Sequence, residues 1–266
     1  MNPKKIDQIG CIDIGSNAIK YKQFRIIANQ NKSFSNELET YKRIPIRWGT
    51  DAFRKGKIRK KTIKKLSESL EDLVSSLDSK KINLIGGFAT SAMRSASNGS
   101  EVCQHLNTKL NLNIHLLSGD QEAQLLSDLS DSFPADGSYL VVDVGGGSTE
   151  LFYKNSSKVM FKSLNLGAVR IYLEKDHLSE WQDLEVFLAS LGNIRNIVGV
   201  GGNVRSLISI INDDINNSVS KKSLNACLLS LVKLSKKEKI ENFNFSSDRA
   251  DICLLYTSPS PRDSDT

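Results

Sequence analysis

The run Asp143-Val144-Gly145-Gly146-Gly147-Ser148-Thr149-Glu150 holds the residue types that phosphate chemistry needs. Its three glycines let the backbone turn tightly and bring N–H groups close to an anion. Ser148 and Thr149 add hydroxyl donors. Asp143 ends an apolar run, where a metal ion among phosphate oxygens would sit, and Glu150 is a second carboxylate close by. A plain glycine-rich hairpin turn would use the same glycines. However, Asp13-Ile14-Gly15-Ser16-Asn17 repeats the pattern 130 residues earlier, again at the end of an apolar strand. One such cluster is weak; two predict duplicated halves facing one phosphate chain.

Three other places carry candidate chemistry. Thr90 or Ser91 can cap a helix and leave Arg94 in its first turn, where fork geometry and dipole both favour an anion. A surface arginine is the bland alternative. Ser118-Gly119-Asp120-Gln121-Glu122 starts another helix, with Glu122 in the first turn. Such a glutamate is common at helix starts; its functional reading is a carboxylate that orients and deprotonates a water. Ile197–Asn203 is a third strand-to-glycine turn, and Gly201–Gly202 before a helix would hold a phosphate or a nucleoside.

The elements that must position these residues follow from pattern. Ile9–Ile14 and Ile19–Ala28 read as a hairpin, Asn29–Glu39 as a polar loop, and Ile44–Ile46 as a short edge strand marked by Pro45. Lys60–Asp78 has helical apolar spacing. Ile82–Ala89 and Ile114–Leu117 are strands, with Ser100–Leu110 a helix between them. Asp131–Ser138 is a turn. Tyr139–Val142, Glu150–Tyr153 and Val159–Leu164 are strands, the last two joined by a turn at Asn155–Ser157. Helices are expected from Leu166, over Asp183–Leu191, Val204–Ile211, Leu224–Leu234 and Lys236–Ile240, and again from Ser247. From Cys253 onward, CLLYTSPSPRDSDT breaks the amphipathic pattern with two prolines and small polar residues. Residues 253–266 read as a non-native tail, which leaves the C-terminal half truncated.

Composition narrows the function classes. With 39% hydrophobic and 25% charged residues, the chain reads as soluble and globular. No stretch resembles a membrane span or secretory signal, so a cytoplasmic location is expected, with no membrane partner. Four scattered cysteines without a CxxC pair exclude a disulfide framework or zinc site. The net charge of +6 is concentrated in Lys55–Lys65, Lys221–Lys222 and Lys233–Lys239. These runs are solvated helix faces or attract a polyanion. Sparse aromatic interleaving argues against nucleic acid as a partner.

Seven blocks occur together in order: CIDIGSNAIK, ATSAMRSASNG, LSGDQEAQLL, VVDVGGGSTELF, LNLGAVRIY, VGVGGNVRSL and SDRADI. In this the chain resembles the exopolyphosphatase / guanosine pentaphosphate phosphohydrolase (Ppx/GppA) family over residues 9–252. The resemblance implies an α/β, actin-like (ribonuclease H-like) two-domain fold with its active site in the interdomain cleft. Domain I would span residues 1–126 and domain II residues 127–252. It further implies that Glu122 is the general base and that Asp143 and Glu150 are acids near the metal and the water. Asp13 would help hold that metal, Mg²⁺ or Mn²⁺. Ser16, Asn17 and Gly145–Thr149 (Gly145, Gly146, Gly147, Ser148, Thr149) match the phosphate loops, Arg94 the phosphate clamp, and Gly201–Gly202 the nucleotide position. The substrates implied are inorganic polyphosphate or guanosine pentaphosphate (pppGpp), and a homodimer is common among members. The chain departs from the family pattern at Asn203 (usually Thr), Gln124 (often Arg) and Lys20 (often Arg). An ATP-using kinase of the same superfamily, a nucleotide-binding regulator without turnover, and an inactive fragment are the competing readings.

Overall fold

β1 (Asp7–Ile14) turns through Gly15–Asn17 into antiparallel β2 (Ala18–Ala28), which pairs with β3 (Phe34–Pro45). These strands open a computed structural model that describes residues 7–28, 34–78, 82–132, 137–211, 218–243 and 245–251. α1 (Gly49–Lys55) and α2 (Lys60–Asp78) then carry the chain to β4 (Asn83–Ala89), parallel to β1. A parallel neighbour requires such a crossover. α3 (Ser91–Ser95) and α4 (Gly99–Leu110) lead on to β5 (Ile114–Leu116), parallel to β4. The sheet order is β3-β2-β1-β4-β5.

The alternation of β1 explains its two faces. Ile12 and Ile14 are buried, whereas Cys11 and Asp13 on the other face are half-buried. In α2, Leu66, Leu70, Leu73 and Leu77 recur at helical spacing and are all buried. Truncating one of them, as in Leu70→Ala, would cost about 2–5 kcal/mol. Buried Asp51 on α1 joins the two helices: its carboxylate accepts hydrogen bonds from Arg59 Nε (2.7 Å) and from the Thr62 hydroxyl at the start of α2.

The second sheet repeats the plan. β6 (Tyr139–Val144) pairs antiparallel with β7 (Thr149–Lys154), which pairs antiparallel with β8 (Val159–Leu164). β9 (Asn196–Val200) lies parallel to β6, reached through α6 (Ala168–Tyr172) and α7 (Leu178–Ser190). The order β8-β7-β6-β9 matches the first four strands of the other sheet. α5 (Gly119–Leu125) and a 3₁₀ turn, Leu126–Ser132, precede β6; α8 (Gly201–Ile211), α9 (Lys221–Val232) and α10 (Lys236–Phe243) follow β9. Leu140, Leu151, Tyr153, Leu164, Leu166 and Phe187 form one core cluster, and Leu126, Val141 and Phe152 another.

The chain divides into compact units at Ser118/Gly119. α5 packs on β7 and β8, which draws it into the second unit. Two expectations change. Residues 34–45 form one long edge strand because their backbone pairs with β2 throughout, which polar side chains do not prevent. Residues 247–251 form turns and not a helix. α1 was not foreseen; at seven residues it has too little pattern to detect. Residues 253–266 lie outside the described residues.

Candidate active site

Both strand-end turns close in the same way. Gly15 N–H donates to the Ala18 carbonyl at 3.1 Å, and Gly145 N–H donates to the Ser148 carbonyl at 2.9 Å. In each hairpin the acid that ends the first strand has a charged residue as its cross-strand partner. Asp13 stands opposite Lys20, and Asp143 stands opposite Glu150. Directly opposed side chains share a face of the sheet, so their charges interact.

In the first unit that interaction is an ion pair. Lys20 Nζ donates to Asp13 Oδ2 at 2.7 Å, with both side chains more than a third exposed. Ser16 is buried, and its hydroxyl accepts a hydrogen bond from Ala92 N–H at 3.2 Å, which ties the turn to the start of α3. Asn17 Oδ1 accepts from Arg47 Nε at 3.2 Å. Thr90 stands at the N-cap of α3 without a side-chain cap bond. Arg94 lies on this helix and donates from Nη1 to the Leu117 carbonyl at 2.6 Å.

In the second unit two acids face one another. Glu150 is buried at 5% exposure and accepts a hydrogen bond from the Ser163 hydroxyl at 3.1 Å. Its carboxyl, ordinarily near 4.5, is pushed up to about 8. Burial is the main cause; repulsion from Glu122 and Asp143 adds to it, and hydrogen bonds from Ser148 and Ser163 oppose it. Glu122 sits in the first turn of α5, as its sequence position implies, and is half-buried. Glu122, Asp143 and Glu150 therefore form one electrostatic group around the Gly145–Gly147 turn. Thr149 faces inward and donates from Oγ1 to the Leu166 carbonyl at 2.6 Å. Ser148 is buried beside it.

The third glycine turn belongs to the same neighbourhood. Gly201 opens α8 at φ +93°, and a Cβ there would stand 2.6 Å from Asp143 Oδ1. Only glycine allows both the backbone conformation and the approach of that carboxylate. At Gly202 a Cβ would stand 2.6 Å from Arg249 Nη2. Protein side chains thus lie against both glycines that were expected to flank a nucleoside. Arg249 was not expected here; its block, SDRADI, was legible only as a repeated family motif.

Among the described residues, no group of three or more His, Cys, Asp or Glu side chains is gathered as a metal cage. The Asp143–Glu150 pair does fit a divalent cation. It supplies hard oxygen donors whose mutual repulsion a cation would relieve, and Mg²⁺ takes one or two carboxylates together with substrate phosphates. No helix of the described residues is long and apolar enough to cross a membrane.

Comparison with known proteins adds findings of three kinds. A model of the Ppx/GppA phosphatase family matches residues 26–254. A guanosine-5'-triphosphate,3'-diphosphate pyrophosphatase of Pseudoalteromonas translucida is 36% identical over 89 residues, 33% of this chain and 18% of that protein. The match to this and a similar Aeromonas hydrophila protein spans about a fifth of their lengths. An exopolyphosphatase structure from Cytophaga hutchinsonii superposes with a TM-score of 0.76 at 18% identity, covering 94% of this chain and 88% of that one. An Aquifex aeolicus Ppx/GppA structure gives 0.71 at 21% identity, covering 95% and 88%. At these identities the structures establish the fold, which is actin-like and mixed α/β with two sheets.

Proposed function

The chain belongs to the Ppx/GppA phosphatase family, and on that premise we propose that it hydrolyses terminal phosphoanhydride bonds, releasing orthophosphate from inorganic polyphosphate or converting pppGpp to ppGpp. The observation that carries this reading is the electrostatic group of Glu122, Asp143 and Glu150 around a triple-glycine turn. The transition state of such a transfer is loose and spreads negative charge over the equatorial oxygens, so catalysis consists mainly of positioning, charge neutralisation and an aligned water.

Each residue then has a role. Glu122 orients the water and accepts its proton; its half-buried position leaves it open to solvent. Without a cation Glu150 holds a proton near neutral pH, so the three adjacent carboxylates are not all charged together, and a cation held there would displace that proton. Backbone N–H groups of the Gly145–Thr149 turn cradle phosphate oxygens, as do those of Ser16 and Asn17 in the first unit. Arg94, directed by its bond to the Leu117 carbonyl, supplies counter-charge. Asp143 and Glu150 would hold Mg²⁺ or Mn²⁺, which when bound neutralises phosphate charge and polarises the bond to be broken. Asp13, expected among the ligands, forms an ion pair with Lys20.

Release of orthophosphate to water, with no phosphorylated acceptor formed, separates hydrolysis from the kinase reading. The test compares orthophosphate release from long-chain polyphosphate, pppGpp and ATP with Mg²⁺, in the wild type and in Glu122→Gln. Loss of release in a variant that melts like the wild type supports the assignment. Unchanged release overturns Glu122 as the base.

A further inference from the structure

The two phosphate turns share a feature that neither sequence block discloses: one short downstream strap takes three successive carbonyls of each turn. In the first unit the strap is residues 46–49. Trp48 Nε1 donates to the Gly15 carbonyl at 2.8 Å, Gly49 N–H to the Ser16 carbonyl at 2.9 Å, and Arg47 N–H to the Asn17 carbonyl at 2.9 Å. In the second unit it is residues 167–170. Ala168 N–H donates to the Gly145 carbonyl at 3.0 Å, Val169 N–H to the Gly146 carbonyl at 2.7 Å, and Arg170 Nε to the Gly147 carbonyl at 2.7 Å.

Each strap contains one glycine pressed flat against its turn. A Cβ on Gly49 would stand 2.8 Å from the Ser16 carbonyl oxygen, and one on Gly167 would stand 2.3–2.4 Å from the backbone of Gly147. Each strap also contributes one side-chain donor from a buried residue, Trp48 at 2% and Arg170 at 9% exposure. This assigns a purpose to the Leu166-Gly167-Ala168-Val169-Arg170 block, which the chemistry of the carboxylates leaves unused.

The consequence follows from peptide geometry. In a planar trans peptide the C=O and the next residue's N–H point in opposite directions. A strap that fixes the carbonyls of Gly145, Gly146 and Gly147 therefore aims the N–H groups of Gly146, Gly147 and Ser148 the other way. The same holds for the N–H groups of Ser16, Asn17 and Ala18. A row of N–H groups fixed before the anion arrives needs no reorganisation on binding. Arg170 also places a cation behind the second turn without exposing it to water.

We propose that Trp48 and Arg170 are paired positioning residues, which hold the carbonyl rims of the two turns from behind and so set the affinity of each turn for phosphate without touching it. The proposal rests on the reading that these turns bind phosphate. It predicts an effect on binding and on KM, with kcat nearly unchanged, because neither residue contacts the attacking water.

The experiment uses the full chain and tripolyphosphate as the probe. Its dissociation constant is measured by calorimetric titration, and KM and kcat by orthophosphate release, for the wild type, Trp48→Phe, Arg170→Lys and Arg170→Met. Trp48→Phe keeps most of the ring and removes only the donor. Weakening of roughly fivefold is expected for Trp48→Phe and roughly tenfold or more for Arg170→Met, with kcat within about twofold. Arg170→Lys should recover part of the loss. Backbone amide resonances of Ser16 and Ser148 should shift on tripolyphosphate addition in the wild type and less in the variants. If Arg170→Met fails to melt cooperatively, Trp48→Phe decides alone. Wild-type affinity in Trp48→Phe overturns the proposal whatever the turnover. Weakened binding in a protein that releases no phosphate upholds it while overturning hydrolysis. A wild type that does not bind tripolyphosphate overturns both.

Discussion

The hairpins β1–β2 and β6–β7 have one topology and opposite electrostatics. Both place an acid seven residues before its cross-strand partner, and both close with a glycine N–H on a carbonyl three residues on. In the first, the partner is Lys20 and the pair is neutral and half-exposed. In the second, the partner is Glu150, so two acids face each other, Glu150 buried and Asp143 half-buried. Two carboxylates directly opposite would destabilise a sheet, and the raised Glu150 carboxyl is how the second hairpin bears an arrangement that the first lacks. The duplicated scaffold supplies two turns that differ in the sign of the residue opposite the acid, Lys20 in one and Glu150 in the other.

The largest effect should come from removing the carboxylate nearest the proposed water. Glu122→Gln is expected to reduce orthophosphate release by roughly 10²–10⁴-fold, with an unchanged melting curve. Removing Asp13 by Asp13→Asn should cost less, and an equal loss would break the distinction between the two hairpins. Next, Gly201→Ala forces a strained φ and a 2.6 Å contact with Asp143. It should destabilise the second unit by about 1–3 kcal/mol and lower phosphate release, seen by calorimetry beside the activity assay.

The third prediction concerns pH. Glu150 is raised from 4.5 to about 8 in the folded protein. Between those values the folded state holds a proton that the unfolded state releases. The stabilising contribution is therefore complete below about pH 4.5 and is lost as pH rises through about 8. Melting temperature should fall over this window in the wild type, and the fall should be shallower in Glu150→Gln. Parallel curves would show that Glu150 carries no raised carboxyl. Lys20→Met should do little by comparison. An exposed pair contributes about 0–1 kcal/mol, and a melting shift beyond about 4 °C would contradict that.

The smallest effect belongs to the surface. Exposed Lys57, Lys60 and Lys61 converted together to Gln should raise KM for long-chain polyphosphate at low salt and leave tripolyphosphate unaffected. The difference should vanish near 1 M salt, where screening acts within about 3 Å.

The chain's residues and their spacing were enough to locate both acid–glycine turns, the strands that carry them and the first-turn position of Glu122. Those features are local: apolar period, glycine and carboxylate lie within one short window. The family resemblance, spread over seven blocks, made the actin-like fold legible as well. Four matters were decided only by tertiary structure. Residues 34–39 read as a loop because their side chains are polar, yet pairing with β2 makes them strand. α5 joins the second unit through packing on β7 and β8, which no local signal marks. Arg94 stands in its predicted helix, but only the fold supplies the Leu117 carbonyl that directs it. Last, Asp13 and Asp143 look alike in sequence. Their difference depends on which residue stands opposite and how deeply it is buried, because the energy of a charge is set by its surroundings and not by its own type.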